Sequence, residues 1–326
     1  MNAEIMQPPQ LSIGRLLLLG VSSVILCVSF VMSVFAPFPL ALAFILYGRK
    51  KGFLIGVLGL VLSFLFATMI HRDLTLFGFY IGVFIFGAGI SEIVSRGISP
   101  VKGLVTFGIG FILLISGGFL SMVKSENVTV EQFILKQIEM SSDKLAEQKK
   151  LIEQSNQENA IEVLQLLDRP DLIAKEMLEA LPGYFFIGVF IMLWFNMFLV
   201  LKSRRLLFAG NDYPYSEKNL LNFKVPFGFV ILLVVGLILA IWGNEIGMQY
   251  SEVLGYTIIK CLGIFYFFQG FGVFSDLLNF LGIGGLFRAL IVMIVIFIAN
   301  YLIAAAGLFD NWFDFRKYFV KPKNED

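Results

Sequence analysis

The chain has 326 residues, of which 58% are hydrophobic and 15% are charged, and its formal net charge at pH 7 is +1. A soluble protein of this length carries more charge on its surface, so the composition excludes a soluble globular protein and indicates a multi-span membrane protein. The near-zero net charge also excludes a nucleic-acid-binding surface, because no run of Lys and Arg is dense enough to follow a phosphate backbone.

Five apolar segments in the first part of the chain predict five membrane spans, each near the roughly 20 residues that a helix needs to cross a bilayer, except for a short second one. They lie at 16–34, 40–48, 52–70, 74–94 and 101–123. The run Arg49-Lys50-Lys51 separates the second and third segments. Loops rich in Lys and Arg stay in the cytoplasm, so this run predicts a cytoplasmic N-terminus.

Glycines in the third and fourth segments recur at a spacing that lets two helices approach closely. We predict helix packing at Gly52, Gly56, Gly59, Gly78 and Gly82. At the end of the fourth segment Glu92 and Arg96 are one helical turn apart, which predicts an ion pair.

Residues 124–181 form the only long polar stretch of the chain. They hold twelve of its 24 acidic residues and seven of its 25 basic ones, a net charge of about −5. Thr129 and Gln132 have the spacing of a capping box, which predicts a helix from there to about residue 154. Apolar residues on this helix form a narrow seam for one partner helix: Ile134, Ile138, Leu145 and Ile152. Shorter helices are predicted at 160–167 and 172–181.

The rest of the chain predicts four more spans, at 182–201, 226–242, 253–274 and 288–307. The expected fold is an all-α polytopic transmembrane bundle of about eight to ten spans with a small amphipathic helical cap. Its regions are residues 1–123 with about five spans, the acidic cap at 124–181, residues 182–307 with about four spans, and a polar tail at 308–326. Nine crossings would leave this positively charged tail outside, so the side of the C-terminus stays open.

Catalytic motifs are absent from the sequence. The single histidine, His71, excludes an HExxH zinc site and a catalytic triad with a second histidine, and no nucleophile-elbow or P-loop sequence occurs. We therefore expect no enzyme activity, no metal site and no cofactor.

Polar residues inside the predicted spans are the better candidates for function, because a charged side chain at the centre of a bilayer costs at least about 2.5–3.5 kcal/mol. Lys260 either extends its ammonium group to the membrane surface, forms an internal ion pair or contacts a ligand. The amides of Gln269, Asn300 and Asn196 either join helices or bind the same ligand, in a pocket between the third, fourth, eighth and ninth spans. The amide of Asn279 is expected to join helices. Asp276 and Arg288, on the two sides of a Gly-rich break at 282–285, are predicted to form an ion pair.

The sequence of residues 306–317, AGLFDNWFDFRK, resembles the closing signature of the YybS-like family of bacterial membrane proteins. The signature residues are Asp310, Trp312, Asp314 and Arg316, and the stretches 222–226 and 268–270 also resemble this family. The family is distantly similar to the substrate-binding subunits of energy-coupling-factor transporters. The resemblance implies a helical bundle in the bacterial inner membrane, with a ligand pocket that opens outward.

The leading hypothesis is thus a multi-pass bacterial inner-membrane protein that acts as a small-solute-binding, transporter-like subunit, with residues 124–181 outside the cell. The alternative is a membrane scaffold or assembly protein that acts through its acidic helical cap. The expected partners are the lipid bilayer, a small-molecule ligand, and either another membrane protein or a second copy of the chain, but no nucleic acid.

Overall fold

The computed structural model describes residues 12–29, 31–71, 74–140, 169–203, 213–243, 245, 247 and 251–319. All regular elements among these residues are helical, so the predicted all-α class is confirmed. The helices are α1 (Ile13–Val28), α2 (Pro37–Phe66), α3 (Thr75–Ser95), α4 (Pro100–Ser125), α5 (Val130–Met140), α6 (Pro170–Lys202), α7 (Glu217–Leu221), α8 (Gly228–Trp242), α9 (Ser251–Phe280), α10 (Gly285–Ile298) and α11 (Asn300–Phe313). Short 3-10 helices lie at Ser33–Phe35 and Phe315–Phe319, and a π-helical turn at Ala67–His71 follows α2.

Within the described ranges, five helices are long and apolar enough to cross a membrane: α2, α3, α4, α6 and α9. The bent pair α10 and α11 is a sixth candidate, and α1 and α8 are shorter apolar helices. The predicted number of eight to ten counted α1 and α8 as full spans and counted two segments within α2. At 16 and 15 residues, α1 and α8 are only about 24 Å and about 23 Å long.

The chain forms two compact units that interleave along the sequence. The first unit consists of Met1–Ile109, Gly188–Pro226 and Ile264–Asp326, and the second of Gly110–Ile187 and Phe227–Gly263. The four regions predicted from the sequence follow polarity along the chain rather than contacts. That division remains a prediction.

In the first unit, α2 folds back on itself at Gly48. This glycine has φ 81° and ψ 167°, a backbone conformation that is essentially restricted to glycine. A Cβ on Gly52 would lie 2.8 Å from the Cα of Phe44, whereas residues eight apart in a continuous helix are separated by about 12 Å. The two predicted segments 40–48 and 52–70 are therefore distinct, antiparallel parts of α2.

Three of the five predicted packing glycines lie at close contacts. A Cβ would meet the ring of Phe44 at Gly52, the ring of Phe84 at 1.9 Å from Gly56, and the hydroxyl of Tyr80 at 2.0 Å from Gly59. These contacts pack the second half of α2 against its first half and against α3. At Gly78 and Gly82 a Cβ would meet no described heavy atom within 4 Å, so the structure differs from the prediction there. Gly78 is exposed and Gly82 is partly buried.

In the second unit, α5 begins with the predicted capping box. The Thr129 N–H donates to Gln132 Oε1 at 3.0 Å, and the Gln132 N–H donates to Thr129 Oγ1 at 3.2 Å. Ile134 and Ile138 from the predicted seam are buried against Ala174 of α6. The partner of this described part of the seam is therefore the same chain. Residues Leu145 and Ile152 of the seam, and the helix predicted at 160–167, lie outside the described residues.

The separate helix predicted at 172–181 is wrong, because α6 runs without a break from Pro170 to Lys202 and contains Pro182. Proline inside a helix removes one backbone hydrogen bond but does not always end the helix. The packing of Ile173 and Leu178 against the seam of α5 supports the turn before Pro182.

The ninth span predicted at 288–307 is not one straight helix. The helix breaks at Ala299, and α10 and α11 are bent by 93° at this point. The break predicted before α10 is present, with positive φ at Gly282 and Gly285.

Both outer ends of this bent pair lie beside the C-terminal end of α9. At the start of α10, Arg288 donates to the Ser275 hydroxyl at 2.6 Å. After the end of α11, the Arg316 side chain lies 3.9 Å from the Asp276 carboxylate. These contacts fit a re-entrant pair that enters and leaves at one end of α9.

Candidate functional site

Three stretches of the first unit meet at the C-terminal end of α9. They are the loop between α7 and α8, the last turns of α9, and the end of α11 with the 3-10 helix after it. We call their interacting side chains the polar cluster: Asn222, Lys224, Gln269, Asp276, Asp310 and Arg316.

Glycines allow the three stretches to come this close. A Cβ on Gly270 of α9 would lie 1.8 Å from the carbonyl oxygen of Ile303, and one on Gly307 of α11 would lie 1.9 Å from that of Tyr266. A Cβ on Gly272 would lie 2.0 Å from the carbonyl oxygen of Leu221. At each position the obstacle is backbone, which cannot rotate away as a side chain does.

Gln269 joins all three stretches through its side-chain amide. Its Oε1 accepts from the Val225 N–H at 2.8 Å, and its Nε2 donates to Asp310 Oδ2 at 3.0 Å and to Asn311 Oδ1 at 3.2 Å. Gln269 is fully buried. The amide is therefore used in joining segments rather than turned towards a ligand.

Asp310 is a carboxylate buried within the cluster, with only 1% of the residue exposed. In addition to the bond from Gln269, its Oδ1 accepts from the Phe315 N–H at 2.8 Å. A buried carboxylate is tolerated only with such donors, since the charge otherwise loses its hydration without compensation. Asp310 thereby fixes the turn that follows α11.

Arg316 closes the cluster from the side of the tail. Its guanidinium donates to Asn222 Oδ1 at 3.1 Å and to the carbonyl oxygen of Leu221 at 3.0 Å. Its Nε lies 3.9 Å from one carboxylate oxygen of Asp276 and 3.9 Å from one of Asp310. The planar group with five N–H donors suits this combination of carbonyl and carboxylate acceptors.

Asp314 forms the edge of the cluster and ends α11 in the left-handed region, with φ 46°. Its carboxylate binds Lys224 at 2.7 Å and Lys317 at 3.0 Å. The hydrogen bonds from these two ammonium groups hold the pKa of the Asp314 carboxyl below its usual value. Asp314 is therefore ionised at neutral pH and ties the loop at Lys224 to the end of α11.

A groove of about 500 Å³ opens beside the cluster. It is lined by Asn222, Lys224, Asp276, Asn279, Arg316 and Phe319. The volume falls in the range of sites for small molecules.

The structure differs from the predicted pairing of Asp276 with Arg288. Arg288 donates to the side chains of Ser275 and Asn279, on either side of Asp276, and the ion partner of Asp276 is Arg316 at 3.9 Å. The physical reason is the fold of the tail, which returns Arg316 to the end of α9. This return could not be read from the spacing of Asp276 and Arg288.

The groove offers both hydrogen-bond donors and hydrogen-bond acceptors. Within the described part of the chain, no hydrogen bond engages the Asp276 carboxylate or the side-chain N–H groups of Asn222 and Asn279. Both cations that line the groove are paired with a carboxylate, Lys224 with Asp314 and Arg316 with Asp276. This arrangement suits a neutral or zwitterionic polar molecule better than a strongly charged one.

Aromatic side chains pack directly behind the cluster. The ring of Trp194 stacks on that of Phe268, with centroids 4.1 Å apart, and meets Phe223 edge-on at 5.3 Å. The Trp194 and Phe268 side chains come from α6 and α9, and Phe223 from the loop that carries Asn222 and Lys224. This packing holds the loop in place beside the groove.

The residues predicted to share one pocket lie at separate places. Lys260 belongs to the second unit, where its ammonium group lies 4.4 Å from the centroid of the Tyr184 ring, a cation–π contact. Asn196 is buried and donates to the carbonyl oxygens of Val34 and Met192, both at 2.6 Å. Asn300 is exposed beside the break between α10 and α11. Of the four candidates, Gln269 alone is part of the polar cluster.

Sequence reasoning missed Asn222 and Lys224 as site residues, and it identified Asn279 as an amide that joins helices rather than as part of the pocket. The signal that pointed to this site was the set of short motifs at 222–226, 268–270 and 306–317. The sequence did not show that these motifs meet in space. Of the signature residues, Trp312 is half exposed, while the other three belong to the cluster or its edge. In the described ranges no group of three His, Cys, Asp or Glu side chains is arranged to hold a metal ion.

The Glu92–Arg96 ion pair predicted at the end of α3 is present, and Arg49 joins it with a contact of 2.7 Å to the same carboxylate oxygen. On the neighbouring loop, the Tyr213 hydroxyl donates to the carbonyl oxygen of Ile98 at 2.8 Å, and burial raises the pKa of this phenol.

Comparison with protein families finds one whose model, described as "Predicted membrane protein (DUF2232)", matches residues 15–311. The matched range includes the polar cluster up to Asp310 and ends before Asp314 and Arg316. No curated protein matches the chain, and no solved structure matches it.

Proposed function

The chain belongs to the predicted membrane protein family DUF2232, and from this starting point we propose that it is a small-solute-binding, transporter-like membrane subunit whose binding site is the groove beside the polar cluster. The proposed ligand is a small neutral or zwitterionic molecule with hydroxyl or amino groups. The observation that carries the proposal is the groove itself, where three distant motifs converge. Its Asp276 carboxylate is paired with Arg316 and accepts no hydrogen bond from the described residues.

Each part of the groove has a distinct role in this proposal. The Asp276 carboxylate accepts from a hydroxyl or amino group of the solute, and the side-chain amides of Asn222 and Asn279 donate to its oxygen atoms. Buried groups behind the groove, Gln269 and Asp310, contact no solute and act as positioning residues. Their bonds to Val225 and Phe315 hold the two walls of the groove at a fixed separation.

The resemblance to the YybS-like family, and through it to transporter substrate-binding subunits, supports the same proposal from a different direction. We place the protein in the bacterial inner membrane, and we propose binding rather than catalysis, because the groove combines hydrogen-bonding groups without a nucleophile and base pair.

The alternative role as a scaffold receives less support from the described part of the cap. Ile134 and Ile138, the described residues of the predicted partner-binding seam, are buried against Ala174 of the same chain. A scaffold would lose its function on deletion of residues 129–154, whereas a solute-binding subunit would still retain its solute.

Native mass spectrometry of the full-length protein in mild detergent tests the proposal. We expect a bound small molecule that is lost in Asp276→Leu and Asn222→Leu but retained in Lys260→Leu, with all three variants folded by thermal unfolding. Lys260→Leu is the matched control, because it removes the other intramembrane candidate. Loss of the molecule in Lys260→Leu with retention in both groove variants would overturn the assignment of the site. A wild-type protein that holds no molecule, and that no neutral or zwitterionic metabolite stabilises, would overturn the function.

A further inference from the structure

A second groove lies at the fold-back of α2, and it shares no lining residue with the first. Its volume is about 510 Å³, and it is lined by Phe44, Arg49, Lys50, Phe53, Ala88, Ser91 and Glu92. It lies in the first unit, between the turn at Gly48 and the last turns of α3. The lining therefore combines charged, hydroxyl and aromatic side chains at the end of two candidate spans.

The charges of this groove leave an excess of positive charge. Glu92 is bound by both Arg49 and Arg96, so that one carboxylate faces two guanidinium groups. Lys50 lines the same groove, is exposed, and has no ion-pair partner among the described residues. The four side chains Arg49, Lys50, Glu92 and Arg96 carry a formal net charge of +2. An anionic group can therefore be bound without displacing the existing ion pairs.

The opposite part of the groove is apolar. Phe53 is 57% exposed, and its ring meets that of Phe84 edge-on at 5.6 Å. Directly after Phe53, large apolar side chains of α2 are exposed along its length: Leu54, Val57, Leu58, Val61 and Leu62. Such a surface faces lipid chains in a membrane-spanning helix. The groove thus lies where cations meet the apolar surface of a span.

We propose that this groove binds an acidic phospholipid. The phosphate lies against Arg49 and Lys50, and an acyl chain follows Phe53 along the exposed face of α2. A soluble phosphate compound would use the cations but not the aromatic wall, and a zwitterionic lipid would use the wall but add an ammonium group beside Lys50. Basic pockets between membrane helices bind anionic headgroups by this combination of charge and apolar contact.

The test is lipid retention by the full-length protein, measured by native mass spectrometry after mixing with phosphatidylglycerol or phosphatidylcholine of identical acyl chains. The wild type is expected to retain phosphatidylglycerol preferentially. Lys50→Gln is expected to reduce that retention about fivefold, the typical effect of one cation at an anionic membrane surface. Lys50 makes no described ion pair, so this variant leaves the fold intact.

Lys124→Gln is the matched control, because it removes the same charge from the last turn of α4, at a residue that does not line the groove. Glycerol phosphate, which has the headgroup charge but no chain, is added as a competitor and is expected to displace little lipid. Equal retention of the two phospholipids, or equal effects of Lys50→Gln and Lys124→Gln, would overturn the proposal. Full displacement by glycerol phosphate would also overturn it, because the ligand would then be a soluble anion.

Discussion

At the scale of single residues, the candidate site depends on glycines as much as on polar side chains. Gly270, Gly272 and Gly307 lie where a Cβ would overlap a backbone carbonyl of a neighbouring stretch. The hydrogen bonds of Gln269 and the contacts of Arg316 form only because the backbones approach this closely. Small residues have this role in many membrane helix pairs, where packing must replace the hydrophobic effect.

Replacement of Gly270 by alanine should therefore destabilise the protein by about 3 kcal/mol, the upper part of the range for overpacked sites, because the obstacle is backbone. Gly263 in the same helix is the matched control, since a Cβ there meets no described atom within 4 Å. Gly263→Ala should be neutral or stabilising by up to about 1 kcal/mol, because alanine favours helix. Thermal unfolding in detergent compares the two. Equal effects would contradict the proposed close approach.

The ion pairs of Asp314 predict a dependence of stability on pH. Because its pKa is lowered from the reference value of 3.8 in the folded protein, ionised Asp314 contributes stability above that value. The contribution is lost as the pH falls through the lower folded pKa. Asparagine also tolerates the left-handed conformation at this position, so Asp314→Asn removes the charge while keeping the turn.

We expect the difference in Tm between the wild type and Asp314→Asn to be constant above about pH 5 and to shrink as the pH falls below about 4. Lys224→Met, made in the wild type and in Asp314→Asn, completes a double-mutant cycle. The effect of Asp314→Asn should be smaller when Lys224 is absent. A difference in Tm that stays the same down to pH 3 would contradict the role of this ion pair.

At the scale of elements, the sequence predicted those features that depend on local patterns. Apolar runs located the spans, the capping box of Thr129 and Gln132 located the start of α5, and the Gly-rich run located the break between α9 and α10. The continuation of α6 through Pro182 and the bend at Ala299 were missed. Both depend on contacts with distant residues, and the periodicity of one segment does not predict such contacts.

The packing of α5 on α6 gives a test at this scale. Ile138→Ala should destabilise the contact between α5 and α6 by about 2 kcal/mol. This value is at the lower end of the range for replacing a buried isoleucine by alanine, because the seam is small. Hydrogen exchange should then become faster at Val130–Met140 while the loop at 222–226 stays protected. Glu139→Ala, an exposed neighbour, is the control and should leave both segments unchanged.

At the scale of the whole molecule, the contacts of the first unit indicate on which side of the membrane the C-terminal tail lies. Arg49 binds Glu92 at the end of α3, and Tyr213 binds the carbonyl of Ile98 just beyond it. The segment from Tyr213 leads through the short helix α7 to Asn222 and Lys224, which contact Arg316 and Asp314. The polar tail is thus at the same end of this unit as the run Arg49-Lys50-Lys51.

This arrangement predicts that the tail and the Arg49-Lys50-Lys51 loop face the cytoplasm together, as the positive-inside rule requires. It also removes the conflict raised by nine straight crossings, because α10 and α11 then form a re-entrant pair. Single cysteines at Lys51 and Lys317 should both resist membrane-impermeant thiol reagents in intact cells and react after permeabilisation. Labelling of Lys317→Cys in intact cells would show that the pair crosses the membrane.

The same return of the tail explains why the candidate site could be predicted only in part. Gln269 and the signature residues Asp310, Asp314 and Arg316 were identified from their types and motifs. Lys260, Asn196 and Asn300 were grouped with Gln269 because all four are polar and lie in apolar segments. Polarity alone does not specify which helix faces meet, and the structure has these residues at separate places.

A cryo-electron microscopy map of the full-length protein, purified in mild detergent with its native small molecules, tests the central claim most directly. We expect compact non-protein density in the groove, within hydrogen-bonding distance of the Asp276 carboxylate and the amides of Asn222 and Asn279. That density should be absent in Asp276→Leu. An empty groove in the wild type, together with solute density beside Lys260 and Tyr184, would show that the solute binds elsewhere.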